Sequence, residues 1–153
     1  MKEIFIVEFE DRHFEEFKKL GYEWLLKYNL LEPVDEEMLN NLKAKITDKG
    51  GFVYIAEIDN ECAGTVSLGK LENGDFEILK LAVSDVHQGK RIGSLLVEKC
   101  FEKAREEGAK KLILYSNHKL DAALHLYKKY GFVELKCDEN KYEEADIKME
   151  CIL

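Results

Sequence analysis

The stretch VSDVHQGKRIGSLL, residues 83–96, carries an apolar run into a polar loop with two glycines and then into an amphipathic pattern. The first N–H groups of a helix lack intrahelical partners, the helix dipole adds partial positive charge there, and glycine lets a ligand approach the main chain. Lys90 and Arg91 bring formal charge to the same place. The combination describes a cradle for a phosphate-bearing ligand, although an ordinary strand-to-helix turn with a basic, solvated first turn has the same spacing. Two named cradles are excluded. A Walker A loop needs GxxxxGK followed by Ser or Thr, whereas Gly89 and Lys90 are followed by Arg91 and preceded, five residues earlier, by Ser84. A dinucleotide fingerprint needs GxGxxG, and this loop has only Gly89 and Gly93.

Other residues with chemical potential are scattered. Glu77 lies in the apolar run FEILKLAV, where its plain reading is a solvent-facing strand carboxylate. Tyr127 stands at helical spacing from Leu120 and Leu124, which suits a core aromatic. Four cysteines, Cys62, Cys100, Cys137 and Cys151, are widely spaced with no CxxC pair, so they read as buried free thiols. Cys100 falls on an apolar helix face and is expected to be inert. The histidines 13, 87, 118 and 125 show no HExxH spacing and no carboxylate cluster, and no metal is expected.

The elements that must position these groups follow from periodicity. EIFIVEF (3–9) alternates as a half-buried strand. Asp11 is the expected cap of a helix with Phe14, Phe17, Leu20, Trp24 and Tyr28 on one face. A second helix starts at Pro33 with Asp35 as its cap, and its Leu39, Leu42 and Ile46 continue to the stop at DKGG. FVYIAEI, TVSLGKL and FEILKLAV form an antiparallel meander, with Asn73-Gly74 marking a hairpin. A helix from Lys90 or Arg91 follows, ending at Gly108, with Ile92, Leu95, Leu96, Cys100, Phe101 and Ala104 on one face. The strand KLILYS after it is parallel to FEILKLAV, because a strand-helix-strand crossover makes it so. A last helix, LDAALHLYKKY, closes at Gly131, and FVELKC and ADIKMECIL supply two more strands.

With 153 residues, 46% of them apolar, the chain suits one compact domain over residues 1–153. A net charge of −8 repels phosphate backbones and anionic lipid, so nucleic-acid and membrane partners are disfavoured. No run of 18 uncharged apolar residues occurs, and a cytoplasmic location is expected.

QGKRIG, Gln88 to Gly93, resembles the signature Q/R-x-x-G-x-G/A of the GNAT superfamily of acetyl-CoA-dependent N-acetyltransferases, with Arg91 where the first signature glycine usually stands. EILKLAV looks like that family's fourth strand, and AALHLYKKYGF like its last helix with the recurrent tyrosine. The order of elements fits along nearly the whole chain. EWLLKYNLLEPVDEEML with GGFVYIAE looks like a bacterial branch that sometimes accompanies MarR-type regulators, and no such DNA-binding domain is expected here.

The resemblance implies an α/β (α+β) GNAT fold: a mixed, mostly antiparallel sheet of six to seven strands, helices on both faces, and parallel fourth and fifth strands that splay apart. It implies acetyl-CoA as cosubstrate, its pantetheine arm paired with the main chain of Leu81, Ala82 and Val83, and its pyrophosphate on the N–H groups of Gln88, Gly89, Lys90, Arg91, Ile92, Gly93 and Ser94. The thioester oxygen would be stabilised near the Val83 N–H. Tyr127 would protonate the departing CoA thiolate, and Glu77 or an ordered water would deprotonate the amine. The family's usual Asn is Leu120 here, so Asn117 is the candidate to bond the pantetheine or tie its strand to the last helix. The acceptor pocket would draw on Trp24, Tyr28, Glu32, Tyr142 and Glu143, which suits a small or amino-acid-like amine. The competing class is an acyl-CoA-binding sensor without turnover, and pairing of the final strand with a second copy would make a homodimer.

Overall fold

The computed structural model describes residues 3–136 and 145–153, so Cys137, Tyr142 and Glu143 lie outside the described residues. Strand β1 (Ile4–Glu8) leads through a 3-10 turn at Asp11–His13 into helix α1 (Phe14–Lys27). The cap of that turn is Glu10 rather than Asp11. The Glu10 carboxylate accepts the His13 N–H, and His13 Nδ1 accepts the Glu10 N–H at 2.9 Å. Along α1 the buried stripe is Phe17, Leu20, Gly21 and Leu25, which leaves Trp24 and Tyr28 half-buried at its edge.

Helix α2 (Pro33–Asn40) begins with Pro33 in its first turn, where a missing N–H costs nothing. Its N-cap is Glu32. Asp35, expected as the cap, sits at the third helical position and completes a reciprocal box, accepting the Glu32 N–H on Oδ2 at 3.0 Å. The helix expected to run on to Ile46 breaks at Asn41, with φ −130° and ψ 44°, and resumes as α3 (Leu42–Lys45). Leu39, Leu42 and Ile46 are buried together despite the break.

Among the described residues seven strands form one sheet in the order β1-β2-β3-β4-β5-β7-β6. These are β2 (Phe52–Ile58), β3 (Glu61–Lys70), β4 (Phe76–Val83), β5 (Lys111–Ser116), β6 (Val133–Leu135) and β7 (Ile147–Ile152). Among the described strands only β4 and β5 run parallel, joined across the sheet by helix α4 (Ile92–Glu106); helix α5 (Asp121–Lys129) follows β5. In the β3–β4 turn, Gly74 takes a φ of 91°, and Asn73 Oδ1 accepts the Asp75 N–H at 2.9 Å.

Helices cover both faces. Val53, Ile55 and Leu79 pack with Phe17, Leu25, Leu39 and Leu42 of α1 to α3. Tyr54, Ala56, Val66 and Leu68 pack on the other face with Ile92, Leu96 and Cys100 of α4 and Tyr127 of α5. Burial on both faces is why β2 reads as a continuous apolar run, without the alternation of a one-sided strand. Cys62, Cys100 and Cys151 carry free thiols, and burial pushes the Cys100 thiol up to about 12, which keeps it un-ionised. No described helix is long and apolar enough to cross a membrane.

Candidate active site

The site begins where β4 and β5 part. Their parallel pairing holds for Phe76 with Leu112, Glu77 with Ile113 and Ile78 with Leu114, and no pair follows. Strand β5 instead stays with β7 as far as Ser116 opposite Ile147. Strand β4 meanwhile carries an extra residue against β3: Ser67 pairs Leu79 and Thr65 pairs Ala82, so two steps of β3 face three of β4. Lys80 absorbs the bulge with a φ of 53°, in the left-handed region that costs an L residue about 1 kcal/mol or more. The main chain beyond Ile78 is thereby left without a strand partner on the β5 side, open to an extended ligand.

The bulge also breaks the alternation of side chains. Phe76 and Ile78 join the α4 face, Leu79 the α1 face, and Leu81 and Val83 the α4 face again. Lys80 is left on the side of α1 and α2, where its Nζ contacts Asp35 Oδ1. Burial pushes the Lys80 ammonium down to about 8, and the Glu32 carboxylate pulls it partly back.

A cleft of about 130 Å³, open to solvent, runs through this gap. It gathers Glu77, Lys80, Leu81 and Ala82 from β4, Tyr115, Ser116 and Asn117 from β5 and its end, and Leu120 and Tyr127 from the last helix and its cap. Trp24, Glu32 and Asp35 close it on the α1–α2 side. Of the three acceptor candidates described, Trp24 and Glu32 line the cleft and Tyr28 does not. Tyr28 packs its ring on Trp24, 5.0 Å between centroids, and helps to fill the α1 core.

Glu77 is 2% exposed, which removes the reading of a solvent-facing carboxylate. Tyr127 enters from the α4 face, with its ring 5.7 Å from Phe132 at 62°. Burial raises its phenol well above the ordinary value, so it stays protonated at any physiological pH and can only donate a proton. Asn117 is 7% exposed, and its Oδ1 accepts the Lys119 N–H at 2.9 Å, a turn that ties β5 to the start of α5.

The loop from Gln88 to Ser94 sits beyond the end of β4 and does not line the cleft itself. Helix α4 starts at Ile92, one or two residues later than the charge pattern suggests, because Gly89 and Arg91 take φ values of 81° and 63°. Arg91 therefore occupies a left-handed position that a glycine would fill without strain. The start of α4 has no side-chain cap and no acid in its first turn, unlike α2 with Asp35 and Glu36. Arg91 reaches Glu98 at 3.6 Å, Lys90 lies 3.3 Å from His87, and Gln88 donates to Asp85 at 3.3 Å. A second tie, Lys27 Nζ to Asp85 at 2.8 Å, joins the end of α1 to the same loop.

Gly64 of β3 sets how closely α4 can approach. A Cβ there would stand 2.8 Å from Ile92 Cγ2 and 3.1 Å from the Ala82 carbonyl oxygen. Gly64→Ala is therefore expected to lower stability by about 1–3 kcal/mol, read as an earlier urea midpoint, by forcing the first turn of α4 away from the sheet. A midpoint equal to that of the native chain would show that the contact relaxes without cost.

Sequence reasoning gave Lys80 no role and read Asp35 only as a helix cap, not as the partner of Lys80. A lysine inside FEILKLAV was the available signal, since an ammonium among buried strand residues needs a partner.

The sheet opens between its two parallel strands beside an uncapped helix start, so unpaired main-chain groups of β4 and free N–H groups of α4 lie near one another. Residues 7–132 match the Acetyltransferase (GNAT) family, and the chain belongs to it. It is 31% identical over 99 residues to a Xenopus laevis protein named "Probable N-acetyltransferase camello", a match over 63% of this chain and 45% of that protein. The chain thus spans less than half the length of the curated relatives it matches. Among solved structures, a GNAT-family acetyltransferase from Staphylococcus aureus Mu50 superposes with a TM-score of 0.91 at 21% identity, covering 99% of both chains. The PaiA N-acetyltransferase of Thermoplasma acidophilum, solved in complex with coenzyme A, superposes at 0.77 with 18% identity over 99% of both chains.

Proposed function

We propose that this chain, as one domain over residues 1–153 acting in the cytoplasm, transfers an acetyl group from acetyl-CoA to the primary amine of a small or amino-acid-like acceptor by direct attack. The observation that carries the reading is the parting of β4 from β5 after Ile78 and Leu114, next to a helix start with neither cap nor acid. Coenzyme A in the PaiA relative supports it, since the two folds superpose along their full length.

In this reading the main chain of Leu81 to Val83 pairs with the pantetheine, and the N–H groups from Gln88 to Ser94 hold the pyrophosphate with Lys90 and Arg91 adding charge. Asn117 orients the arm where β5 ends. Glu77, buried on the acceptor side, takes the proton of the amine directly or through water, and Tyr127 gives its proton to the CoA sulfur. Trp24 and Glu32 receive the acceptor, the ring offering its face to a cation and the carboxylate its charge.

Titration with acetyl-CoA by calorimetry tests the cradle, and free-thiol release over a panel of amines tests the transfer. Saturable binding is expected, weakened about tenfold by a Lys90→Ala, Arg91→Ala pair, because two exposed ion pairs contribute up to about 1 kcal/mol each. Absence of binding returns the loop to a plain turn. Binding with no thiol release for any amine favours the acyl-CoA-binding sensor.

A further inference from the structure

Among the described residues lining the cleft, Lys80 is the one that carries a primary amine of its own. Its place follows from the bulge. Strict alternation would turn residue 80 toward α4, and the extra residue between Leu79 and Ala82 turns it to the acceptor side instead. There it stands immediately before the Leu81–Val83 run and lines the same cleft as Glu77 and Tyr127. Its side chain is 14% exposed and is held by the Asp35 carboxylate, itself 4% exposed. A nucleophile fixed within a site reacts as though present at very high concentration, so an acyl donor that enters this cleft meets an amine before any acceptor arrives.

We propose that Lys80 is a site of self-acetylation, modified in cis by acetyl-CoA bound in its own cleft when no acceptor occupies it. The inference rests on the reading of this cleft as the acetyl-CoA site. The Lys80 ammonium gives one proton to Asp35 and thence to solvent, and the freed lone pair of Nζ attacks the thioester carbonyl carbon. The N–C bond forms and the C–S bond breaks. The second proton lost from Nζ replaces the one that Tyr127 delivers to the CoA sulfur, so the products are N-acetyl-Lys80, free CoA thiol and one solvent proton. Burial supplies the reactive form, because it lowers the ammonium to about 8 and leaves a useful fraction of neutral amine near neutral pH. Asp35 opposes this by favouring the charged form, which makes the ion pair a restraint on the reaction. Acetylation abolishes that ion pair and adds bulk on the acceptor side, so the modified chain should turn over amines more slowly.

The test is incubation of the full chain with acetyl-CoA and no amine, followed by peptide mapping of acetylated lysines over time, with acetyl-CoA binding measured on the same preparation. Lys80 should be modified at least about tenfold faster than the exposed Lys128 on α5, at a rate unchanged by diluting the protein. Excess CoA should suppress the reaction at Lys80 and leave Lys128 unaffected. Tyr127→Phe should slow it at Lys80 alone, and Lys80→Arg should abolish the fast phase. Binding and amine-dependent thiol release with Lys80 unmodified, or modified no faster than Lys128, overturn the proposal and leave the acetyltransferase reading standing. Absence of acetyl-CoA binding overturns both.

Discussion

Tyr127→Phe is expected to lower the turnover number about 100-fold while leaving acetyl-CoA affinity and thermal midpoint nearly unchanged. The substitution keeps the ring that packs edge-on against Phe132 and removes only the hydroxyl, so the core that Tyr127 shares with Leu112 and Leu114 survives. What is lost is a proton donor. Burial holds the phenol protonated far above neutral pH, a disadvantage for a base and an advantage for a group that must hand a proton to a thiolate once per cycle. Measured kcat and calorimetric Kd separate the possibilities. A fall in kcat at constant Kd supports the acid. An unchanged kcat reduces Tyr127 to a packing residue and moves the proton to solvent, and an acyl-CoA sensor would have no transfer to lose.

The features legible in the sequence are those set by local pattern. FVYIAEI and KLILYS read as strands because helices cover both faces of the sheet, and the Asn73-Gly74 turn read correctly because its geometry is chosen by two residues alone. Boundaries governed by one residue's backbone were less visible. Leu39, Leu42 and Ile46 keep helical spacing across Asn41, so the break there leaves no trace in the apolar pattern. Asp35 is a better intrinsic N-cap than Glu32, yet Pro33 prefers the first helical turn and thereby places the cap one residue before itself.

The candidate site was legible to a different degree. Periodicity alone made Tyr127 a core aromatic and Glu77 a surface acid; only resemblance to a family gave them roles. Their common cleft depends on where β4 leaves β5, a property of pairing between strands more than thirty residues apart. The bulge at Lys80 is equally hidden, since it exists only in the register of β4 against β3. Tyr28 failed as a lining residue because its nearest aromatic neighbour, Trp24, takes the position facing the cleft and leaves Tyr28 behind it.

That hidden bulge carries the largest expected effect on stability. Asp35→Ala should cost about 2–3 kcal/mol at pH 7: it removes a carboxylate beside a mostly buried ammonium, which escapes by giving up a proton held at about 8 for about 1.4 kcal/mol, and it removes the acceptor of the Glu32 N–H for about 1 kcal/mol more. The two losses separate by pH. Lys80 binds its proton less tightly in the folded chain, at about 8, than at the ordinary value of 10.5, so between those values the unfolded chain holds more protons and stability rises with pH. Without Asp35 the folded value drops further and the window opens at lower pH, so the variant gains more than the native chain between pH 7 and pH 9. The deficit in urea midpoint should therefore shrink toward the cap alone, about 1 kcal/mol, at pH 9. Asp35→Asn, which keeps an acceptor for the Glu32 N–H, should lose its deficit almost entirely over the same range. A deficit for Asp35→Ala that is equal at the two pH values would place the whole effect in the helix cap and leave the Lys80 charge without a part in holding α2 to β4.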